Sequence, residues 1–113
     1  MPCVIEKLVY SINGFVMALK RDRSMRQWLV LVLVSNLMAL LVFDQAITIG
    51  IIVALGFLLL AAELINTAVE VLTDFVHPQQ GEAAKKAKDA ASAMTFFTFL
   101  ALATAWIAGL LSR

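Results

Sequence analysis

The 113-residue sequence is 62% hydrophobic and only 15% charged, with a formal net charge of +1 at pH 7. This composition differs from that of a soluble globular domain, so most of the chain is expected to lie in a membrane. The small net charge gives no indication of nucleic-acid binding, and the lone cysteine, Cys3, excludes an intramolecular disulfide. We expect a single domain over residues 1–113 and no cleaved signal peptide.

The N-terminal segment has the apolar periodicity of an amphipathic helix over about residues 4–20. Its apolar side chains recur at spacings of one, three and four, which places them along one helical face. Such a helix is expected at the membrane interface, although packing against partner helices leaves the same pattern. The residues of this face are Val4, Ile5, Leu8, Val9, Ile12, Phe15, Val16 and Leu19.

Three long apolar segments follow, at about residues 28–43, 46–66 and 90–111. A helix needs roughly 20 apolar residues to cross a bilayer, with about 17 as the lower limit. The sequence therefore predicts an all-α integral membrane protein with one interfacial helix and three transmembrane helices.

The basic residues predict how these helices are oriented. The turn after the first span contains Asp44 and Gln45 and no basic residue, whereas the segments before the first and third spans are basic. Because basic residues near short loops are retained in the cytoplasm, we expect a cytoplasmic N-terminus and a cytoplasmic second loop. Topology and lipid headgroup contacts are the simplest explanation for these basic residues. They are Lys20, Arg21, Arg23, Arg26, Lys85 and Lys86, whereas Lys88 is interpreted below from its resemblance to a family motif.

Polar residues form a regular row where the second span leaves the membrane. Glu63, Asn66, Glu70 and Asp74 are spaced by three, four and four, and Thr67 borders them. On a helix these spacings place the four side chains, hereafter the acidic stripe, within a band about 80° wide. A solvated helix end would explain Asp74 and Glu70. It explains Glu63 poorly, because this residue follows the uncharged run 46–62 and a central acid costs roughly 2.5–3.5 kcal/mol in a membrane.

These residue types suit phosphoryl transfer to a lipid. Carboxylates bind Mg²⁺, a lysine can contact phosphate oxygens, and an acid at membrane depth can act as a base for a lipid hydroxyl. The five glycines form neither a P-loop nor a protein-kinase glycine loop, so the sequence supports neither of those folds.

The segment 63–70, Asp74 and the run 87–89 together resemble a known signature. Glu63-Leu-Ile-Asn66-Thr67-Ala-Val-Glu70, then Asp74, then Ala-Lys88-Asp89 is similar to the E-x-x-N-[ST]-A-x-E…D…A-K-D pattern of bacterial diacylglycerol and undecaprenol kinases. The similarity extends over essentially the whole chain and includes Tyr10-Ser11 near the N-terminus.

The resemblance implies a homotrimer in the bacterial inner membrane, with composite active sites between subunits. It implies that Glu63 contacts the lipid hydroxyl as catalytic base and that Glu70 and Asp22 bind the Mg²⁺ of ATP. Ser92, as a residue of the lipid site, and Thr67 are weaker correspondences. The other expected nucleotide-binding residues are Tyr10, Ser11, Asn66, Asp74, Lys88 and Asp89.

Two positions depart from the family pattern. Asp22 stands where the family usually has glutamate, so its carboxylate has a shorter reach. Trp28 occupies the position of a second glutamate found in some diacylglycerol kinases, and an interfacial tryptophan is the simpler explanation for it.

Three functions remain open at this stage. The first is phosphorylation of diacylglycerol to phosphatidic acid with ATP, which the Arg26-Gln27 pair favours slightly. The second is phosphorylation of undecaprenol, because the signature does not distinguish the two lipids. The third is a small transporter or scaffold, which is disfavoured because the first and third spans have no charged residue in their cores.

Overall fold

The computed structural model describes residues 3–79 and 81–113, which form four α-helices. They are α1 (Val4–Arg21), α2 (Arg23–Val42), α3 (Ala46–Val76) and α4 (Glu82–Ser112). No β-strand occurs in these two ranges. The helices α2, α3 and α4 are each long and apolar enough to cross a membrane. The predicted class, an all-α membrane protein with one amphipathic and three spanning helices, is confirmed.

Two of the helices continue well beyond the apolar segments of the sequence. α3 and α4 each contain 31 residues. At 1.5 Å per residue this corresponds to about 46 Å, whereas the hydrocarbon core of a bilayer is about 30 Å thick. The last turns of α3 and the first turns of α4 therefore extend past the hydrocarbon at the same end of the bundle, where a short turn at Pro78 and Gln79 joins them.

The chain turns sharply between α1 and α2. Asp22 is the single residue between them, with extended backbone angles (φ −111°, ψ 121°), and its N–H donates to the carbonyl of Ala18 at 2.9 Å. The guanidinium of Arg26 donates to the carbonyl of Leu19 at 2.6 Å. Because this bond satisfies a carbonyl at the end of α1, it fixes the turn. We call residues 21–24 the α1–α2 corner.

The core lies between the three long helices. Gly56 allows α2 and α3 to approach closely, since a Cβ atom added there would lie 2.9 Å from Cγ1 of Val32. Ring pairs join α2 to α4, with Trp28 5.4 Å from Phe99 between centroids. Trp28 is partly buried and packs against the core cluster, and its location at the membrane interface stays a prediction. The buried residues of this cluster are Val32, Ala39, Phe43, Ile52, Leu59 and Leu102.

The helix α1 has little packing within the subunit. Ala18 is its only buried residue among those described, and most of its apolar face is exposed. An exposed apolar face of this kind suits either a lipid surface or a partner helix, so both interpretations of α1 remain predictions.

Candidate functional site

The packing face of α3 changes from apolar to polar at Glu63. Ile52, Gly56 and Leu59 are buried on this face, and Glu63, Asn66 and Thr67 continue it as buried polar residues. The spacings of four and three keep these residues on one side of the helix. The acidic stripe is therefore a continuation of the core-facing surface of α3, directed toward the α1–α2 corner.

Glu63 is the most enclosed carboxylate of the stripe. Glu63 is only 2% exposed, and Ser24 Oγ donates a hydrogen bond to its Oε1 at 2.7 Å. A buried carboxylate is strongly unfavourable without a hydrogen-bond donor. Ser24 supplies that donor from the start of α2, so the corner and the stripe are in direct contact at this point.

A second hydrogen bond joins the corner to α3, and in this bond the donor lies on α3 and the acceptor in the corner. Thr67, which is 1% exposed, donates from Oγ1 to Oδ2 of Asp22 at 2.6 Å. Asp22 occupies the N-cap position of α2, where an aspartate commonly accepts from the helix backbone. Here its side chain makes no such capping bond. The carboxylate is directed toward α3 instead, at the expense of the cap.

Asn66 lies between these contacts and the outer stripe, which consists of Glu70 and Asp74. Its Nδ2 donates to Oε1 of Glu70 at 3.3 Å, and its Oδ1 is buried without a hydrogen-bond partner. Buried polar atoms without a partner are uncommon in folded proteins. An acceptor left free beside Glu70 is suited to a donor or a cation that enters with a ligand.

Arg21 gathers three carboxylates at the corner. Its guanidinium lies 3.5 Å from Asp22, 3.9 Å from Glu70 and 3.5 Å from Asp74. These long, half-exposed contacts are individually weak, but they offset the mutual repulsion of three acids. The positively charged guanidinium of Arg21 therefore lies among these three carboxylates without any ligand being bound.

The lysines at the start of α4 differ in their partners. Lys88 reaches across to Asp74 of α3 and is ion-paired with it. Lys85 instead pairs with Asp89 at 2.7 Å within α4, and Lys86 pairs with Glu82 at 3.2 Å, also within α4. Within the described ranges, Lys88 is the one of these three lysines that forms an ion pair with the stripe. The family resemblance likewise implied a role in nucleotide binding for Lys88 and not for Lys85 or Lys86.

Some of the expected site residues lie apart from this network. Tyr10 is 60% exposed on α1, and Ser11 donates to the carbonyl of Lys7 in its own helix at 2.9 Å. Ser92 is exposed on α4, and Asp89 is paired with Lys85. Within the described part of the chain, no hydrogen bond or ion pair connects these four residues to the stripe.

The donor set at the corner suits a magnesium ion bound together with a nucleotide. In residues 3–79 and 81–113, no three Asp, Glu, His or Cys side chains converge as a self-contained metal site. Mg²⁺ is usually bound by one or two carboxylates with the remaining ligands from phosphate and water. Asp22 and Glu70, which share Arg21 as a neighbour, match that requirement, and the free Oδ1 of Asn66 adds a further oxygen.

Two residues of the network were missed by sequence reasoning. Ser24 has no distinguishing pattern around it, and Arg21 was assigned to membrane topology with the other basic residues. Their contacts with the stripe join positions 39 and 53 residues apart in the chain. The one signal in the sequence was that both residues lie within two positions of Asp22, which the family resemblance implied to be a site residue.

Comparison with known proteins identifies similar chains that match over most of their length. The family model for prokaryotic diacylglycerol kinase matches residues 9–110. A diacylglycerol kinase of Pseudomonas aeruginosa is 30% identical over 97 residues, covering 86% of this chain and 79% of the relative. A diacylglycerol kinase of Haemophilus influenzae is 26% identical over 103 residues, covering 91% and 87% respectively. One from Helicobacter pylori strain J99 is 29% identical over 103 residues, covering 91% and 80%.

Proposed function

Because the chain belongs to the prokaryotic diacylglycerol kinase family, we propose that it transfers the γ-phosphate of ATP to the hydroxyl of diacylglycerol and forms phosphatidic acid. The relatives carry the name of this activity, and the three long apolar helices make the chain a multi-pass membrane protein suited to a lipid acceptor. The proposed location is a bacterial inner membrane, with the N-terminus and the stripe on the cytoplasmic side.

The observation that carries the proposal is the buried carboxylate of Glu63. It lies at the point where the apolar face of α3 gives way to the acidic stripe, between the depth at which a membrane alcohol would bind and the side from which a nucleotide in water would bind. A candidate base must come within hydrogen-bond distance of the proton that it removes. Glu63 would accept the lipid hydroxyl proton while the oxygen attacks the γ-phosphorus and ADP leaves.

The outer stripe would hold the nucleotide. Glu70 and Asp22 would bind Mg²⁺, which neutralises charge on the phosphate oxygens when it is bound. Asn66 would present its free Oδ1 to the same region. Lys88 and Arg21 are cations that ion pairs with Asp74 hold beside the stripe, and each would turn from the carboxylate to phosphate oxygens when the nucleotide binds.

The remaining expected residues belong to the proposed assembly. We propose a homotrimer with sites shared between subunits, which is supported by the exposed apolar surfaces of α1, α3 and α4. Tyr10, Ser11, Asp89 and Ser92 are accessible enough to reach a ligand bound by a neighbouring subunit. Light scattering in detergent would measure the subunit number, and a monomeric active species would contradict this assembly.

The test of the activity is a direct lipid assay. Purified protein in mixed micelles is incubated with Mg²⁺, γ-labelled ATP and either diacylglycerol or undecaprenol, and the lipids are separated by thin-layer chromatography. We expect labelled phosphatidic acid, and none with Glu63→Gln protein prepared in the same way, which controls for contaminating kinases. Labelled undecaprenyl phosphate without phosphatidic acid would identify an undecaprenol kinase, and no labelled lipid from either substrate would contradict a lipid kinase.

A further inference from the structure

The contact between Ser24 and Glu63 extends the proposed mechanism. Ser24 Oγ lies 2.7 Å from Oε1 of Glu63, which is a short hydrogen bond between an exposed serine and a buried acid. An ionised carboxylate can only accept hydrogen bonds, so the hydroxyl must be the donor. Ser24 is therefore the donor of this hydrogen bond and Glu63 the acceptor.

This bond is made by one oxygen of the carboxylate only. Among the described residues, no hydrogen bond or ion pair to Oε2 of Glu63 accompanies the one to Oε1. A glutamate side chain has several rotatable bonds, and a single donor on one oxygen restricts where the other oxygen points. The arrangement holds one oxygen and leaves the second to accept a proton from a substrate.

The rest of the corner makes the donor rigid. Ser24 lies in the first turn of α2, two residues after Asp22, whose carboxylate accepts from Thr67 of α3 at 2.6 Å. Thr67 is one helical turn beyond Glu63, so the two hydrogen bonds form a closed link between the corner and α3. A shift of the whole corner away from α3 would break both bonds.

We propose that Ser24 is a positioning residue that orients Glu63 for proton transfer from the lipid hydroxyl. This inference rests on the proposed function, because it takes Glu63 as the base. Ser24 touches the carboxylate and no reacting atom, and it acts by holding Oε1 so that Oε2 meets the lipid hydroxyl. It is absent from the signature shared with the family, which consists of residues 63–74 and 87–89.

The experiment compares Ser24→Ala with Ser24→Thr in the lipid assay. Removing the hydroxyl frees the carboxylate, so kcat for Ser24→Ala is expected to fall by about tenfold to a hundredfold. The lipid KM is expected to change by less than about threefold, because the residue acts on the base and not on lipid binding. Ser24→Thr keeps a hydroxyl on the same carbon and should recover most of the lost kcat.

The matched control is Ser112→Ala at the far end of α4. Its hydroxyl donates to the carbonyl of Ala108 at 2.9 Å, and it contacts no part of the stripe. This variant should keep wild-type kcat. Thermal stability in detergent is measured for every variant, and kcat is referred to folded protein, so a loss of folding is not counted as a loss of positioning.

The outcomes separate the inference from the function on which it rests. If the wild type makes labelled lipid and Glu63→Gln does not, the proposed function holds. Wild-type kcat for Ser24→Ala, or a Thr variant as slow as the Ala variant, would then overturn the role of Ser24 alone. If the wild type makes no labelled lipid, or Glu63→Gln retains turnover, the proposed base is wrong and the inference falls with it.

Discussion

The two halves of α3 use one helical face for different purposes. Toward the N-terminus of the helix, Ile52 and Leu59 are completely buried in the apolar core, with Gly56 between them. One turn after Leu59 the same face presents Glu63, which is almost as deeply buried. The burial of the two halves is similar, but the first half packs apolar groups and the second must satisfy charge.

This difference explains why the polar half requires the α1–α2 corner. Apolar side chains need only close packing, whereas a buried carboxylate needs donors in specific places. Ser24 and Arg21 provide hydrogen bonds and charge to Glu63 and to the outer stripe, and Asp22 accepts from Thr67. A face that is expensive to bury and held by specific contacts from another element is characteristic of a functional site.

The largest contrast is expected between Glu63→Gln and Leu59→Ala, one turn apart on this face. Glu63→Gln removes the base but keeps the size of the side chain, so turnover should fall by about 10³-fold or more with little change in folding. Leu59→Ala should lower the free energy of unfolding by about 2 kcal/mol or more and leave turnover per folded molecule within about threefold. Lipid phosphorylation and thermal unfolding in detergent measure both.

Either result could break this comparison. If Glu63→Gln destabilised the protein as much as Leu59→Ala did while retaining turnover, the polar half of α3 would be a structural feature only. The same lipid assay with the two variants side by side decides the matter, since both substitutions lie on the same face and at neighbouring depths.

The next largest effect is expected at the proposed magnesium ligands. Glu70→Gln keeps the hydrogen bond from Asn66 but removes the charge, so the Mg²⁺ concentration for half-maximal turnover should rise at least about tenfold. Asp22→Glu restores the side-chain length usual in the family and should keep the Mg²⁺ requirement within about threefold of the wild type. Turnover is measured in a Mg²⁺ titration at fixed ATP.

An unchanged Mg²⁺ requirement in Glu70→Gln would remove this residue from the metal site. A large rise in Asp22→Glu would instead show that the corner is built around the shorter acid and its bond from Thr67. Together, the two variants test whether Glu70 of the stripe or Asp22 of the corner determines how Mg²⁺ is bound.

A smaller effect separates two lysines on α4. Lys88 pairs with Asp74 across the helices, whereas Lys85 pairs with Asp89 within its own helix. Lys88→Met should raise the KM for ATP by about tenfold, since one charge-assisted contact to phosphate is lost. Lys85→Met removes the same charge three residues earlier and should change that KM by less than about twofold. Equal effects would mean that the lysines act only through overall charge.

The character of both halves of α3 was predictable from local sequence pattern. The spacing of Glu63, Asn66, Glu70 and Asp74 placed them on one face, and the length of the apolar runs predicted three spanning helices, because both depend on local periodicity. The family prediction was confirmed by the matched residues 9–110. The roles of the individual site residues, the Mg²⁺ site and the trimer stay predictions.

What could not be predicted depends on tertiary contacts. Nothing in the local pattern indicates that Ser24 donates to a residue 39 positions later or that Arg21 lies among three acids. The apolar segments predicted membrane spans and not helix ends, and hydrogen bonding in α3 continues to Val76, beyond the apolar segment. A hydropathy pattern reports where the membrane ends, and the helix need not end there.

The smallest effect sharpens the apolar side of the comparison. A Cβ at Gly56 would lie 2.9 Å from Cγ1 of Val32, so Gly56→Ala requires either the Val32 side chain or the packing of α2 on α3 to shift. We expect this overpacking to cost about 1 kcal/mol of stability and to change turnover by less than about threefold. Gly50→Ala is the matched control, since a Cβ there meets nothing within 4 Å and alanine favours the helix. A much larger loss of turnover in Gly56→Ala would show that small shifts of α2 are transmitted to the corner, and that the two halves of the face are mechanically coupled.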